Sequence, residues 1–147
     1  MFKKILVPTD GSALSEKAVQ EAIDYVKMSG GEIVVLSIAP PYVHSVPDIT
    51  FGISGDKSPD RNVAPVDFAQ QTVDNVLHRA KIAGVRCKTR IALSFDPYQE
   101  IIDSAEELNC DAIFMATHGY RGLKKLFTGS ETQRVLDHTT LPVLVLR

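Results

Sequence analysis

Glycine, basic and hydroxyl residues between positions 115 and 132 give this stretch the composition of an anion-binding loop. The sequence MATHGYRGLKKLFTGSET places Gly119 ahead of the basic residue Arg121 and ends near Gly129–Ser130, where a helix is predicted to begin. Glycines let the main chain turn and approach a ligand, and the first turn of a helix attracts anions through its amides and dipole. The loop therefore predicts a phosphate-binding site.

The same residues also fit a simpler role. The loop is not a P-loop, because no Lys-Ser/Thr pair follows a glycine at the helix start. Ser130 and Gln133 have the spacing of a capping box, so the segment could equally be a surface connection that leads into a capped helix. Both interpretations stay open at this point.

A second candidate group follows the first apolar run of the chain. That run ends at Pro8 and leads into Thr9-Asp10-Gly11-Ser12. The carboxylate of Asp10 could accept hydrogen bonds from ribose hydroxyls or help to hold a divalent cation. The alternative is a turn or helix-cap role within the Asp-Gly-Ser sequence.

These candidate groups are not accompanied by a recognisable catalytic set. His118 has no nucleophile or second acid–base group at a suitable spacing, so we predict that it shapes the loop. Phosphoryl transfer also needs metal-binding carboxylates and a positioned nucleophile or water, so at most slow hydrolysis of a bound phosphate compound is expected. Cys87 and Cys110 lack the spacing of a redox or metal motif and are predicted to be reduced core residues.

The overall composition is that of one ordinary soluble domain. The 147 residues are 44% hydrophobic and 23% charged, which predicts a single domain over residues 1–147. A net charge of −2 argues against a general nucleic-acid or membrane-surface binder. No stretch is long and apolar enough to span a bilayer, and the first residues lack the features of a signal peptide. We therefore expect a cytoplasmic location without nucleic-acid binding or membrane insertion.

Apolar runs of strand length alternate with segments of helical periodicity along the chain. The predicted strands cover residues 3–7, 33–38, 85–91, 112–116 and 141–146. The predicted helices run from about residue 15 to Gly30, from about 69 to 83, from Asp96–Pro97 to Leu108, and from Ser130 to about His138. Five such alternations predict an open, parallel α/β sheet with helices on both faces.

The strand order 3-2-1-4-5 fits this pattern best. It places the third predicted strand, in which basic and apolar residues alternate, at one edge of the sheet. It also brings the first strand beside the fourth, where the winding direction reverses and where ligands bind in such sheets. Asp10 and the glycine-bearing loop would then face each other across one crevice.

Residues 39 to 65 interrupt the alternation. Five prolines and two glycines fall in this stretch, which shows neither helical nor strand periodicity. A loop of this length is typically either a functional lid or partly disordered. Tyr42, His44 and Phe51 could touch a ligand, and an insertion without direct ligand contact is the alternative.

The last predicted strand, residues 141–146, is almost wholly apolar and would form the other edge of the sheet. A bare apolar edge invites pairing with another chain. Pairing with the same strand of a second copy around a two-fold axis would cover it. We therefore expect a homodimer through residues 141–146, with coverage by the protein's own loops as the alternative.

Four segments, in order and with matching spacing, resemble the universal stress protein family. They are KKILVPTDGS, EIVVLSI, MATHGYRGLKKLFTGSETQRVL and LPVLVLR, and the resemblance covers essentially the whole chain. It implies a Rossmann-like fold of the adenine nucleotide alpha hydrolase type, dimerisation through the last strand, and a cytoplasmic stress-response role. It further implies an ATP-binding protein that couples its nucleotide state to a protein partner. A dimeric interaction module without nucleotide is the alternative.

The ATP-binding members resembled here carry glycine, two residues, glycine, nine residues, then glycine and Ser or Thr. Gly119 and Gly129–Ser130 match this pattern, whereas Ala116 stands at the first glycine. The extra methyl group would narrow the approach to the ligand, and overpacking of this kind costs about 1–3 kcal/mol. We expect weaker binding rather than none.

Carried over by position, the resemblance implies a site with three parts. Asp10 would contact ribose, and Ile38 would pack against adenine. The phosphates, accompanied by Mg²⁺ or Mn²⁺, would be held by Gly119, Gly129, Ser130 and Thr132. Glu131 is a concern, because a carboxylate repels phosphate unless it faces solvent or a cation. The complete implied set is Pro8, Thr9, Asp10, Ile38, Met115, Ala116, His118, Gly119, Arg121, Gly129, Ser130, Glu131 and Thr132.

Overall fold

The computed structural model describes residues 1–41, 65–117 and 129–147, and these form alternating strands and helices. The elements are β1 (Lys4–Pro8), α1 (Ala13–Ser29), β2 (Glu32–Ala39), α2 (Pro65–Ile82), β3 (Arg86–Leu93), α3 (Pro97–Glu107), β4 (Ala112–Ala116), α4 (Gly129–His138) and β5 (Val143–Leu146). The strands pair in parallel in the order β3-β2-β1-β4-β5. The predicted fold and strand order are confirmed.

The central strands are buried because helices cover both faces of the sheet. Leu6 of β1 lies between Val34 of β2 and Ile113 of β4 in the parallel register. All three side chains are almost fully excluded from solvent. Strands covered on both faces read as continuous apolar runs, which is the pattern that the sequence shows for β1, β2 and β4.

Two separate apolar cores lie on the two faces. On one face, α1 and α2 pack on the sheet through residues such as Val19 and Val73. On the other face, α3 and α4 pack through residues such as Ile101 and Val135. The prediction of helices on both faces is confirmed, and β1 contributes alternate residues to each core.

The two edges of the sheet differ in character. At the β3 edge, Lys88 lies 3.7 Å from Glu32 and Arg90 lies 2.7 Å from Glu107, so charged side chains flank the strand. At the β5 edge, Leu144 is 45% exposed and the other strand residues are half-buried. The edge position of the charge-alternating strand was predicted correctly.

The last strand is shorter than the predicted residues 141–146, because β5 begins only at Val143. Pro142 has no N–H group and cannot donate a hydrogen bond into a sheet. Its carbonyl still accepts a hydrogen bond of 2.9 Å from the Ile113 amide, so the chain already runs alongside β4 at that residue.

Three helices begin earlier than predicted, and the first of them, α1, starts at Ala13 and not at about residue 15. Helix α4 starts at Gly129, so Ser130 lies inside the helix and is not its cap, and the Gln133 side chain donates to Asp137. Helix α2 starts at Pro65, a position that suits proline because the first helical N–H needs no partner within the helix. Since β2 also extends to Ala39, the predicted long connection of residues 39–65 shortens to 40–64, of which 42–64 lie outside the described residues.

Among residues 1–41, 65–117 and 129–147, no helix is both long enough and apolar enough to cross a membrane.

Candidate functional site

The carboxyl ends of β1, β2 and β4 come together at one edge of the sheet, where the winding direction reverses. Pro8 pairs with Leu36 of β2, and Leu6 pairs with Ile113 of β4. The residues that follow β1 therefore lie close to the end of β2 and beside the end of β4. This is the location at which open α/β sheets bind ligands.

The turn after β1 is held by its own hydrogen bonds. Thr9 is buried, its amide donates to the Leu36 carbonyl at 2.8 Å, and its hydroxyl lies 3.0 Å from that of Ser15. Asp10 Oδ1 accepts a hydrogen bond of 2.9 Å from the Ser12 amide, which closes an Asx turn. Asp10 is therefore a turn residue whose position is fixed, and it is Ser12 that caps α1.

Gly11 sits in the middle of this turn with φ of +75°, a conformation that glycine adopts without steric cost. A Cβ atom added there would lie 3.3 Å from both Phe68 Cζ and Thr72 Oγ1 of α2. The turn therefore approaches α2 closely. A side chain in place of Gly11 would both strain the backbone and press on Phe68.

An apolar cavity of about 190 Å³ opens beside Asp10. Its walls come from the turn after β1, the end of β2 and the start of α2, and its lining residues are Asp10, Ser37, Ile38, Ala39, Pro40, Pro65, Phe68 and Ala69. Two residues that the sequence assigned to one site, Asp10 and Ile38, thus line one cavity. Pro8 is buried beneath this region, at the end of β1.

Phe68 was missed by the sequence analysis. Its ring is 54% exposed although it lines the cavity, and it also borders a neighbouring groove of about 270 Å³ between α1 and α2. That groove is more polar, and Glu16, Gln71 and Asn75 line its far side. The available signal in the sequence is that Phe68 is an aromatic residue that does not lie on the apolar stripe of α2. A predicted helix that begins at about residue 69 leaves Phe68 outside α2.

The other half of the candidate site joins β4 to α4. Met115 and Ala116 are buried at the end of β4, and the Thr132 hydroxyl donates a hydrogen bond of 3.1 Å to the Ala116 carbonyl. This bond fixes the first turn of α4, which begins at Gly129 and includes Ser130, against the end of β4. The turn carries the positive end of the helix dipole, as a phosphate site requires.

The hydroxyl of Thr132 thus has a structural partner, which the sequence could not indicate. The resemblance placed Thr132 among the phosphate-binding residues. In the structure the side chain is buried and bonded to the main chain of β4. The hydroxyl therefore positions the turn, and its contact with a phosphate stays a prediction.

Ala116 departs from the glycine of the ATP-binding pattern, but its backbone does not need glycine. It is the last residue of β4, in extended conformation. Within the described ranges, Asn109 is the only non-glycine residue with a positive φ angle. The substitution therefore adds one buried methyl group without backbone strain.

The carboxylate of Glu131 faces α3. Its Oε2 accepts a hydrogen bond of 3.0 Å from the Tyr98 amide, and its Oε1 lies 3.4 Å from Arg134 Nη1. Asp96, which we predicted to cap α3, makes no side-chain capping bond, and its Oδ1 lies 3.7 Å from Arg134. Glu131 therefore accepts a hydrogen bond from the first turn of α3, whereas the side chain of Asp96 accepts none there.

The remaining predicted site residues, His118, Gly119 and Arg121, lie outside the described residues. Their assignment stays a prediction. The two cysteines are free, and burial raises the pKa of both the Cys87 and Cys110 thiols to about 11. Neither thiol is a nucleophile near neutral pH, because the thiolate is the reactive form.

Solved structures of the same architecture include that of protein MJ0577 of Methanocaldococcus jannaschii. It matches with a TM-score of 0.74 and 26% identity, over 99% of this chain and 96% of that one. The universal stress protein of Archaeoglobus fulgidus in complex with dAMP matches with a TM-score of 0.70 and 18% identity, over 99% and 98% of the two chains. An Arabidopsis thaliana family protein with AMP bound matches with 0.70 and 17%, over 98% and 90%.

Sequence relatives agree with the structural comparison. The universal stress protein MJ0531 of M. jannaschii is 29% identical over 149 residues, which cover 100% of this chain and 83% of the relative. YxiE of Bacillus subtilis, also a universal stress protein, is 29% identical over 150 residues that cover 100% of both chains. The sequence model of the universal stress protein family matches residues 1–147. The chain belongs to the universal stress protein family.

Proposed function

We propose that this universal stress protein binds ATP across the carboxyl ends of β1, β2 and β4. The observation that carries the proposal is the apolar cavity lined by both Asp10 and Ile38. Ile38 and Phe68 offer apolar surface to adenine, and the Asp10 carboxylate at the same cavity can accept hydrogen bonds from ribose hydroxyls. The first turn of α4 would receive the phosphates.

The size of the cavity sets how much of the ligand it holds. At about 190 Å³ it is smaller than the roughly 300–1,000 Å³ of pockets that enclose a whole small molecule. It would therefore take the base, while the ribose and phosphates extend along the crevice toward α4. Mg²⁺ or Mn²⁺ would accompany the triphosphate. The dAMP and AMP bound by two similar structures carry the same base, which supports this arrangement.

Bound nucleotide would exert its effect through contacts of this protein with other protein chains. We propose a cytoplasmic homodimer formed through residues 141–146, which would relay the nucleotide state to an unidentified protein partner. The exposed Leu144 at the β5 edge supports the dimer, since an unpaired apolar edge favours strand pairing. We also propose a role in stress response, which is consistent with the name of the family.

Titration calorimetry of the purified protein with ATP and Mg²⁺ tests the proposal, with Phe68→Ala as the diagnostic variant. Base–aromatic stacking contributes about 1–3 kcal/mol per base, so this variant should bind ATP at least about fivefold more weakly. Phe95→Ala is the matched control, because Phe95 is 70% exposed and does not line the cavity. Equal affinities of the two variants would contradict the proposed position of the base.

The competing function is a dimeric interaction module that binds no nucleotide. Ala116, in place of the glycine of the ATP-binding pattern, favours it. Mass spectrometry of small molecules released on denaturing freshly purified protein separates the two functions. Released nucleotide supports the first function. No released nucleotide, together with no heat of binding below millimolar ATP, supports the second.

A further inference from the structure

We infer that Glu131 is a positioning residue, which holds the phosphate-binding turn of α4 in place through its bond to α3. This inference rests on the proposed nucleotide site. From the sequence alone, the Glu131 carboxylate is expected to repel a nearby phosphate. In the role inferred here, the same residue favours phosphate binding. It would do so by fixing the orientation of the turn instead of contacting the ligand.

The contacts of Glu131 are specific, and its own side chain is only 15% exposed. Its Oε2 accepts from the Tyr98 amide at 3.0 Å, and the guanidinium of Arg134, one turn along α4, lies 3.9 Å from the centre of the Tyr98 ring. Arg134 also lies 3.4 Å from Glu131 Oε1. A hydrogen bond and a cation–π contact therefore join the two helices at one point, and an ion pair within α4 links the two residues that make them.

Two consecutive residues of α4 bind to two different elements. Glu131 binds α3, and the adjacent Thr132 binds the end of β4 through the Ala116 carbonyl. A helix turn fixed from two directions cannot rotate or tilt without breaking one of these bonds. The amide groups of this turn are therefore held in a defined orientation relative to the crevice.

The charge of Glu131 is compensated by its partners on α3 and α4. The Tyr98 amide belongs to the first turn of α3, where the helix dipole favours a negative group. Arg134 supplies a full positive charge beside it. The carboxylate is thus turned toward partners that stabilise it, and the dipole of α4 remains available to a phosphate.

The same contacts connect the phosphate side of the site to the base side. The Ser94 amide donates to the Ala39 carbonyl at 3.0 Å, at the rim of the cavity. The Asp96 amide donates to the Ser94 hydroxyl at 3.0 Å, and Arg134 lies 3.7 Å from the Asp96 carboxylate. Residues 94–98 thereby link the cavity rim to the first turn of α4.

Two conservative variants separate positioning from charge. Glu131→Asp keeps the charge but is one methylene too short for the bond to Tyr98, whereas Glu131→Gln keeps the reach and removes the charge. Calorimetry with AMP and with adenosine then isolates the effect on the phosphate. We expect Glu131→Asp to weaken AMP binding about five- to tenfold with unchanged adenosine binding, and Glu131→Gln to stay within about twofold of wild type for both ligands.

The control is Asp137→Asn, which removes a charge from the exposed end of the same helix and should change neither affinity. Tighter AMP binding by Glu131→Gln with no change in Glu131→Asp would overturn the inference in favour of simple repulsion. Equal loss of AMP and adenosine binding in Glu131→Asp would also overturn it, since that pattern indicates general destabilisation. If wild-type protein binds neither AMP nor ATP, the proposed function fails; if wild type binds AMP and both Glu131 variants match it, only the inference fails.

Discussion

The hydrogen bond between the Thr132 hydroxyl and the Ala116 carbonyl can be removed with little change in side-chain shape, by Thr132→Val. Thr132 is 3% exposed and Ala116 is 7% exposed, so water has little access to replace the lost donor. Leaving a buried acceptor unpaired costs about 1–3 kcal/mol. We therefore expect the free energy of unfolding to fall by about 2 kcal/mol.

Urea unfolding followed by far-ultraviolet circular dichroism measures this difference. For a domain of about 150 residues, 1 kcal/mol corresponds to about 2–4 °C, so the thermal midpoint should fall by about 4–8 °C. The m value, which is the slope of the free energy of unfolding against urea concentration, should not change, because the variant and the wild type expose the same surface on unfolding. The matched control is Thr139→Val, in which the lost hydroxyl accepts from the Leu141 amide at a half-buried position. It should cost about 0.5 kcal/mol or less.

A different result would refute the reasoning about this bond. If Thr132→Val and Thr139→Val lose equal stability, the buried hydrogen bond has no special weight. If Thr132→Val keeps full stability but loses nucleotide affinity, the hydroxyl faces the phosphate, as the family resemblance implies, and does not serve the Ala116 carbonyl. Measuring both quantities on one preparation therefore decides which partner the hydroxyl has.

Three further predictions concern the strand end, a buried thiol and the sheet edge. Ala116→Gly should lower the free energy of unfolding by about 0.5–1 kcal/mol in urea titrations, and by removing the methyl group should raise ATP affinity about tenfold in calorimetry. Burial raises the pKa of Cys110 to about 11 from 9.0, so the folded protein keeps a proton that the unfolded chain releases. The Cys110 thiol should leave the stability unaffected below pH 9 and lower it by about 2 kcal/mol by pH 10.5. Because the pKa of Cys87 is raised in the same direction, urea titrations of Cys110→Ala should show an alkaline loss that is smaller than that of wild type by this amount. Leu144→Lys should give a monomer in size-exclusion chromatography with light scattering, whereas Leu136→Lys, at a similarly exposed position on α4, should leave the proposed dimer intact.

Each of these predictions has a result that would contradict it. Unchanged ATP affinity in Ala116→Gly would show that the methyl group does not narrow the site. An alkaline loss of stability equal in wild type and Cys110→Ala would assign that loss to other groups. A Leu144→Lys protein of unchanged mass would remove β5 from the interface.

The fold was predictable because its signals are local. The unbroken apolar runs of β1, β2 and β4 indicate strands covered on both faces, and the alternating charges of β3 indicate an edge. These patterns depend only on how side chains alternate along a strand, so the sequence was sufficient to order the sheet. The shorter β5 depended on Pro142, whose missing amide could have been recognised from the sequence.

The contacts within the candidate site were less predictable, because they join elements that are distant in sequence. Asp10 and Ile38 could be assigned to one site, because the family resemblance implies both and they lie at the carboxyl ends of neighbouring strands. The bond from Tyr98 to Glu131 spans 33 residues, and no periodicity indicates which carboxylate reaches which helix. Phe68 was missed for a related reason, since its place beside the cavity depends on where α2 begins.

The β3 and β5 edges of the sheet differ in charge, and this difference would limit how many copies of the chain can pair edge to edge. Another strand could pair with β3 only if Lys88 and Arg90 first lost their contacts with Glu32 and Glu107. Beside β5 no comparable charged barrier appears among the described residues, and Leu144 favours an apolar neighbour. If another chain can pair only beside β5, assembly stops at two molecules. Each molecule then uses its single open edge within the pair, and no edge remains from which a fibre could grow.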